Sequence, residues 1–180
     1  MLLLKFSLLI RVLSFFSPFS FSTTLSILLD WPQKDEFLKC LKECFQKVKQ
    51  QSFYYPGTEE RVTRFKQYCS ENSIKVDVVS GNSSGPNDVN WIILYNIPED
   101  SKVIKEECFG PVIAVFELDT KNNPAAFMKE VTHFCNTKPF GSLSCSVFID
   151  PKTQASFSTD FETMISNLEW GVIASKLPIR

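Results

Sequence analysis

After Trp31, apolar and polar residues recur with a period that changes several times along the chain. Across 35–49, Phe37, Leu41, Cys44, Phe45 and Val48 share one face, a spacing that predicts an amphipathic helix. Pro56-Gly57 interrupts the chain, and Thr58 stands where an N-cap would open a second helix burying Val62, Phe65 and Cys69. The period then shortens to two. Ile74, Val76 and Val78 alternate with Lys75 and Asp77, as in a half-buried strand. Residues 80–90, with Gly81, Gly85 and Pro86, read as a loop. Residues 91–97 form a nearly continuous apolar run of strand length, expected where a strand is covered on both faces.

Residues 111–118 predict another strand, rich in β-branched residues and Phe. Asn123-Pro124 supplies an N-cap and a proline at the first helical position, and the helix that follows turns Phe127, Val131 and Phe134 inward. A strand over 142–149 has Cys145, Val147 and Ile149 as its apolar alternation. Thr159 and Glu162 have the spacing of a capping box for a last helix, whose buried stripe is Phe161, Met164, Ile165 and Leu168. Gly171 closes that helix, and 172–174 begins one more strand. Strands alternating with helices in this way predict an α/β fold with a largely parallel sheet. The final strand has barely started at Arg180, so the domain reads as truncated, with an open edge.

The chain divides near residue 30. Residues 12–29 are uncharged, with ten apolar residues, seven Ser or Thr and Pro18, preceded by Lys5 and Arg11 and closed by Asp30. The run is too diluted for a clear spanning helix, and no small-x-small cleavage site stands out near Leu29. A membrane or secretory segment through residues 1–29, a Ser-rich transit peptide, and a mispredicted start outside the fold are three readings of residues 1–30. Residues 31–180 are the expected folded domain.

Composition narrows the class only broadly. In 180 residues, 44% are hydrophobic and 22% charged, which excludes wholesale disorder, a collagen-like fibre and a multi-span membrane protein. Nineteen Lys and Arg oppose twenty Asp and Glu, without the basic excess of a nucleic-acid partner. Six Cys are too few for a disulfide scaffold of this length and suit a reducing compartment, cytoplasmic or organellar. Cys40 and Cys44 would share a helix face, as two packed thiols or as half of a ligand set. With one His and no Cys-x-x-Cys, no metal site is expected. His133 is expected on a helix surface.

The densest motif is Lys105-Glu106-Glu107-Cys108-Phe109-Gly110-Pro111-Val112. It places a carboxylate and an aromatic ring on a Gly-Pro corner at the entrance to a strand. Such a corner is either an ordinary loop-to-strand junction or a rigid base for a ligand carrying hydroxyls and a flat ring. Carboxylates accept hydrogen bonds from diols, and aromatic faces pack on heterocycles.

Glu-Glu-Cys-Phe-Gly-Pro-Val, after Pro98-Glu99-Asp100-Ser101 and before an apolar strand, resembles the Glu-Glu-x-Phe-Gly-Pro-Val signature of the aldehyde dehydrogenase superfamily. The likeness continues in order. Phe134-Cys135-Asn136, Phe140-Gly141-Ser142-Leu143-Ser144-Cys145-Ser146-Val147 and Asp150-Pro151-Lys152-Thr153 are similar to the next strand and turn of that family, and Leu168-Glu169-Trp170-Gly171 to its following helix end. Phe53-Tyr54-Tyr55-Pro56-Gly57-Thr58-Glu59-Glu60-Arg61 resembles an insertion in a longer-chain branch. The resemblance covers about residues 31–174 and implies a partial aldehyde-dehydrogenase-like catalytic domain. It implies NAD or NADP as cofactor and a small-molecule aldehyde as substrate. Glu107 would bind the nicotinamide ribose hydroxyls and Phe109 would pack near the nicotinamide ring.

The family's nucleophile motif, Gly-Gln-x-Cys, and its general-base motif, Glu-Leu-Gly-Gly, do not occur here, nor does a Gly-rich nucleotide turn. No catalytic residue is therefore assigned. Lys176 stands near where the family carries Asn. The expected object is a fragment, NAD(P)-dependent by descent and inactive alone. The alternative is a non-catalytic remnant or assembly module that associates with a full-length homologue.

Overall fold

The computed structural model describes residues 8–12, 24–29, 34–47, 56–82 and 89–175. Within them the chain forms β1 (Leu8–Val12), β2 (Thr24–Leu29), α1 (Lys34–Lys47), α2 (Thr58–Glu71), β3 (Lys75–Val79), β4 (Trp91–Tyr95) and α3 (Lys102–Lys105). It continues through β5 (Val112–Leu118), α4 (Pro124–Thr137), β6 (Ser144–Ile149), α5 (Pro151–Ser156), α6 (Ser158–Asn167) and β7 (Val172–Ser175). One seven-stranded sheet results, in the order β3-β4-β5-β2-β1-β6-β7.

The α/β architecture is as expected, and the sheet is mixed. β4–β5, β2–β5 and β6–β7 are parallel, whereas β3–β4, β1–β2 and β1–β6 are antiparallel. The parallel ladders among strands after residue 90 follow from the helical crossovers between them. The antiparallel ones come from the β3 edge and from β1. Two stretches of the first thirty residues, read from sequence as a leader, thus lie inside the sheet. Their Leu, Ile, Val and Thr content suits a strand as well as an apolar leader. No helix among the described residues is long and apolar enough to cross a membrane.

Both faces of the sheet are covered, which explains the unbroken apolar run of β4. On one face Ile92, Leu94, Val112, Ala114, Phe116, Cys145 and Val147 pack with buried residues of α2, α4 and α6. On the other, Val79, Ile93, Tyr95, Ile113 and Val115 form a second cluster with Phe45 of α1. Phe116 stacks on Phe134 at 4.4 Å, and Phe45 on Trp91 at 4.7 Å. Phe127, Val131 and Phe134 are buried as their spacing predicts. Asn123 caps α4, its Oδ1 accepting from the Ala126 N–H at 3.2 Å.

Four local expectations are corrected. Gly57, not Thr58, is the cap residue of α2. Its φ of +73° is a left-handed conformation that glycine adopts cheaply, and Thr58 becomes the buried first residue of the helix. The Thr159–Glu162 capping box does not form. Asp150 instead caps a separate α5, accepting from Lys152 N and Thr153 N at 3.0 and 3.1 Å, and α6 starts after Phe157 without a side-chain cap. That last helix also ends at Asn167, before Gly171. Finally, Val78 is 51% exposed. β3 is an edge strand, and Val78 faces away from the cluster that buries its neighbour Val79 against Phe45 of α1, so alternation there does not by itself mean burial.

The thiols divide by position. Cys69, Cys108, Cys135 and Cys145 are buried, Cys40 is half-buried and Cys44 exposed. Burial pushes Cys108 and Cys145 up to about 12, and pushes Cys69 and Cys135 up as well. His133 lies exposed on α4. Among the described residues no group of three His, Cys, Asp or Glu could hold a metal ion, so Cys40 and Cys44 gain no third ligand.

Two outcomes follow from this packing. Phe127→Ala should destabilise the fold by roughly 3–5 kcal/mol in urea titrations, because the ring is fully enclosed. A buried thiol keeps its proton in the fold while the unfolded chain loses it above the ordinary value of 9.0. Stability present below that pH is therefore lost as pH rises toward about 12, with a limiting slope of about 1.4 kcal/mol per pH unit for each thiol. Cys145→Ala should flatten the fall measured by unfolding between pH 9.5 and 11; an unchanged slope would contradict the assignment.

Candidate cofactor-positioning site

The motif at 105–112 is held between α2, α3 and the start of β5. Ser101 opens α3 by accepting from the Val103 N–H at 3.2 Å, and its own N–H donates to Pro98 O at 2.9 Å. The Lys102 N–H donates to the Tyr68 hydroxyl at 3.1 Å, which ties α3 to α2. Glu106 then leaves the helix in an extended conformation. The next side chains alternate: Glu107 half-buried, Cys108 fully buried, Phe109 45% exposed. Cys108 anchors the segment, and its two neighbours face outward.

Phe109 has φ +49°, a left-handed conformation that costs a bulky L-residue about 1–2 kcal/mol. Gly110 makes the approach of α2 feasible. A Cβ there would lie 2.6 Å from Val62 Cγ2, well inside contact distance. Val112 N donates back to Gly110 O at 2.7 Å, and Ile92 N to Pro111 O at 2.9 Å, so the corner closes directly onto β4. The ring of Phe109 is thus presented from a base pinned on three sides.

Arg61, one residue before Val62, places its guanidinium 5.8 Å above the centre of the Phe109 ring. It is itself held by hydrogen bonds from Nη2 to Thr58 Oγ1 at 2.9 Å and Pro56 O at 3.3 Å. Its Nε is buried with no hydrogen-bond partner among the described residues. Beside it opens a cleft of about 90 Å³, lined by Arg61, Arg64, Phe65, Tyr68, Lys102, Glu106 and Glu107. Glu106 pairs with Lys102 at 3.3 Å. Glu107 lines the same cleft as the two arginines of α2.

The structure brings both sequence-derived residues, Glu107 and Phe109, to one corner. Reasoning from sequence missed Arg61, Thr58 and Val62 as their supports. Phe53–Tyr55 and Lys176, singled out for resemblance, lie outside the described residues. Cys108 is unsuited to nucleophilic work: burial raises its pKa to about 12, and the nearby Arg61 charge offsets that only in part. A larger cleft, about 610 Å³, opens at the other end of β4 and β5, between α1 and Tyr95. Its Lys34 and Lys42 are paired with Glu117 at 2.6 Å and Asp77 at 2.5 Å, and it is remote from the motif.

The carboxylate can accept hydrogen bonds from a sugar diol, and the open face of Phe109 can receive a flat ring. This fits the nicotinamide riboside half of a dinucleotide. The sequence has no Gly-rich turn for the remainder.

Comparison with known proteins points to one family. The aldehyde dehydrogenase family model matches residues 33–169. A succinate-semialdehyde dehydrogenase [NADP(+)] of Saccharomyces cerevisiae is 31% identical over 117 residues, covering 64% of this chain and 22% of that protein. Among solved structures, succinate-semialdehyde dehydrogenase from Burkholderia pseudomallei superposes with a TM-score of 0.60 at 14% identity, covering 83% of this chain and 30% of the other. Lactaldehyde dehydrogenase from Escherichia coli gives 0.59 at 20% identity, covering 79% and 30%. The chain spans under a third of the length of each of these relatives, and the family match over residues 33–169 makes it a member of the aldehyde dehydrogenase family.

Proposed function

We propose that this chain is the cofactor-positioning part of an aldehyde dehydrogenase catalytic domain, serving NAD(P)-dependent oxidation of an aldehyde to a carboxylic acid. The observation that supports it best is the pinned corner carrying Glu107 and Phe109. A nicotinamide cofactor, when bound, accepts hydride from the oxidised carbon. The residues of this chain contribute orientation. Glu107 accepts from the ribose hydroxyls, and Phe109 limits where the flat ring can lie. Cys108 and Gly110 hold both in place, so little freedom is lost when the ligand settles.

Nothing in the 180 residues matches the family's nucleophile and general-base motifs, and four of the six thiols are buried. The chain alone therefore positions a cofactor without turning over. A second reading, an assembly module that pairs with a full-length homologue, draws on a different observation. Phe140, Leu143 and Val172 are 71%, 58% and 52% exposed, and Val172 N donates to Leu143 O at 3.1 Å, so Leu143 and Val172 adjoin beside the β7 edge.

Binding of NAD and NADP to the full chain, followed by NMR shifts, tests the first reading. Phe109→Ala should weaken binding by about two- to tenfold without moving the unfolding midpoint, the range for one lost aromatic contact. Glu107→Gln should weaken it by about tenfold or more, as a hydrogen bond to a charged group is lost. Unchanged dissociation constants for both variants would refute the reading. Incubation with aldehyde and NAD(P) should give no reduced cofactor; turnover by the chain alone would show that it carries a nucleophile after all. Light scattering separates the second reading, which requires a complex with an added full-length homologue.

A further inference from the structure

We propose that Tyr68 positions the ribose-binding end of this site, through a hydrogen-bonded relay that ends beside Glu107, while the ring-binding end at Phe109 has other supports. The proposal rests on the reading of Glu107 and Phe109 given above and goes beyond it by assigning a positioning role to a residue of α2.

Tyr68 stands in the last turn of α2, half-buried, with its ring packed against the core. Its hydroxyl accepts from the Lys102 N–H at 3.1 Å and lies 3.5 Å from Ser101 Oγ. Lys102 passes the restraint on: its carbonyl accepts from the Glu106 N–H at 2.9 Å, one residue before Glu107. Between these two bonds Val103 and Ile104 are buried, which fixes the face that α3 turns to the core. A helix of four residues closes too few bonds of its own to set its orientation, so outside partners set it. At the far end the Phe140 N–H donates to Ile104 O at 2.9 Å, and at the near end the partner is Tyr68. Tyr68 and Glu107 line one cleft.

Phe109 is held differently. Cys108, 0% exposed, is a buried pivot between it and Glu107. Beyond that pivot the backbone is set by the close approach of Val62 to Gly110 and by the bond from Val112 N to Gly110 O at 2.7 Å. Neither contact involves α3. The carboxylate and the ring therefore answer to separate supports, Tyr68 with α3 for the first and Val62 with Gly110 for the second. Glu107 is itself engaged within the fold. A carboxylate has about four lone-pair sites, so a contact of its own leaves acceptors for a diol. A carboxylate placed before the ligand arrives loses less freedom on binding, and that is the gain Tyr68 supplies. Tyr68 acts through the α3 backbone and so is a positioning residue.

The experiment titrates the full chain with two cations that share a ring and differ in the diol, oxidised nicotinamide riboside and N-methylnicotinamide. Dissociation constants are read from NMR shifts. Tyr68→Phe keeps the aromatic ring and removes the hydroxyl. It should weaken riboside binding by roughly two- to tenfold, the range for one hydrogen bond, and leave N-methylnicotinamide unchanged. In a Glu107→Gln background the same change should have little further effect on the riboside, because the carboxylate it positions is gone. Equal losses for both cations overturn the proposal, since a purely structural role would weaken both; so does no loss for either. In wild type, riboside binding should slow hydrogen exchange of the Lys102 amide and N-methylnicotinamide should not, because coupling between the diol and the Tyr68 bond is reciprocal. If Tyr68→Phe does not fold, that difference decides alone: exchange that slows equally with both cations, or with neither, overturns the proposal. Should wild type bind neither cation, the reading of Glu107 and Phe109 fails, and this proposal with it.

Discussion

The contact between Val62 and Gly110 is the constraint on which the corner depends. Without a side chain at residue 110, α2 can lie flat against the entry to β5. Cys108 is then driven into the core, and Phe109 is turned outward in a left-handed conformation. Arg61 precedes Val62 by one residue, so seating Val62 also aims the guanidinium across the phenyl ring. The strain of about 1–2 kcal/mol in Phe109 persists because these neighbours leave the backbone no alternative. The arrangement of Cys108, Phe109 and Arg61 is in this sense the by-product of one missing Cβ.

The sheet explains why the corner sits where it does. β4 and β5 are parallel and buried on both faces, so they form a stiff floor, and the segment entering β5 inherits that stiffness. The larger cleft lies at the other end of the same strands, and two of its lysines, Lys34 and Lys42, are held in ion pairs. Size is therefore a poor guide here: the small cleft holds the carboxylate and cations beside an open aromatic ring.

Much of this was legible in the sequence because it rests on local chemistry. Asn123-Pro124 caps α4 as read, since capping involves residues three apart. The apolar run at 91–97 implied double coverage, and α1 and α2 provide it from opposite sides of β4. Glu107 and Phe109 were found through a contiguous motif. Arg61 was not, because it meets Phe109 across 48 positions and no pattern within either segment announces the pairing. The capping box at Thr159 failed for a related reason. Asp150-Pro151 starts a helix earlier, and Thr159 is already inside the next one, its carbonyl accepting from Thr163 Oγ1 at 2.7 Å. Val78 alternated correctly yet ended up in solvent, because alternation records which face a residue takes and not whether a helix covers that face.

The corner's supports are also close in sequence. Thr58, Arg61, Val62, Tyr68, Ser101 and the 106–112 segment all lie within 55 residues, on β3, β4, β5 and the helices joined to them. In the sheet these strands connect to β6 and β7 only through β2 and β1. The second link between the halves is the packing of α4 and α6 against the shared face. The hydrogen bonds of Arg61, Lys102, Val103, Val112 and Ile92 at the corner run among α2, α3, β4 and the entry to β5. These contacts lie on one half of the sheet, so the packing that orders Phe109 at the corner is local to α2, α3 and the entry to β5.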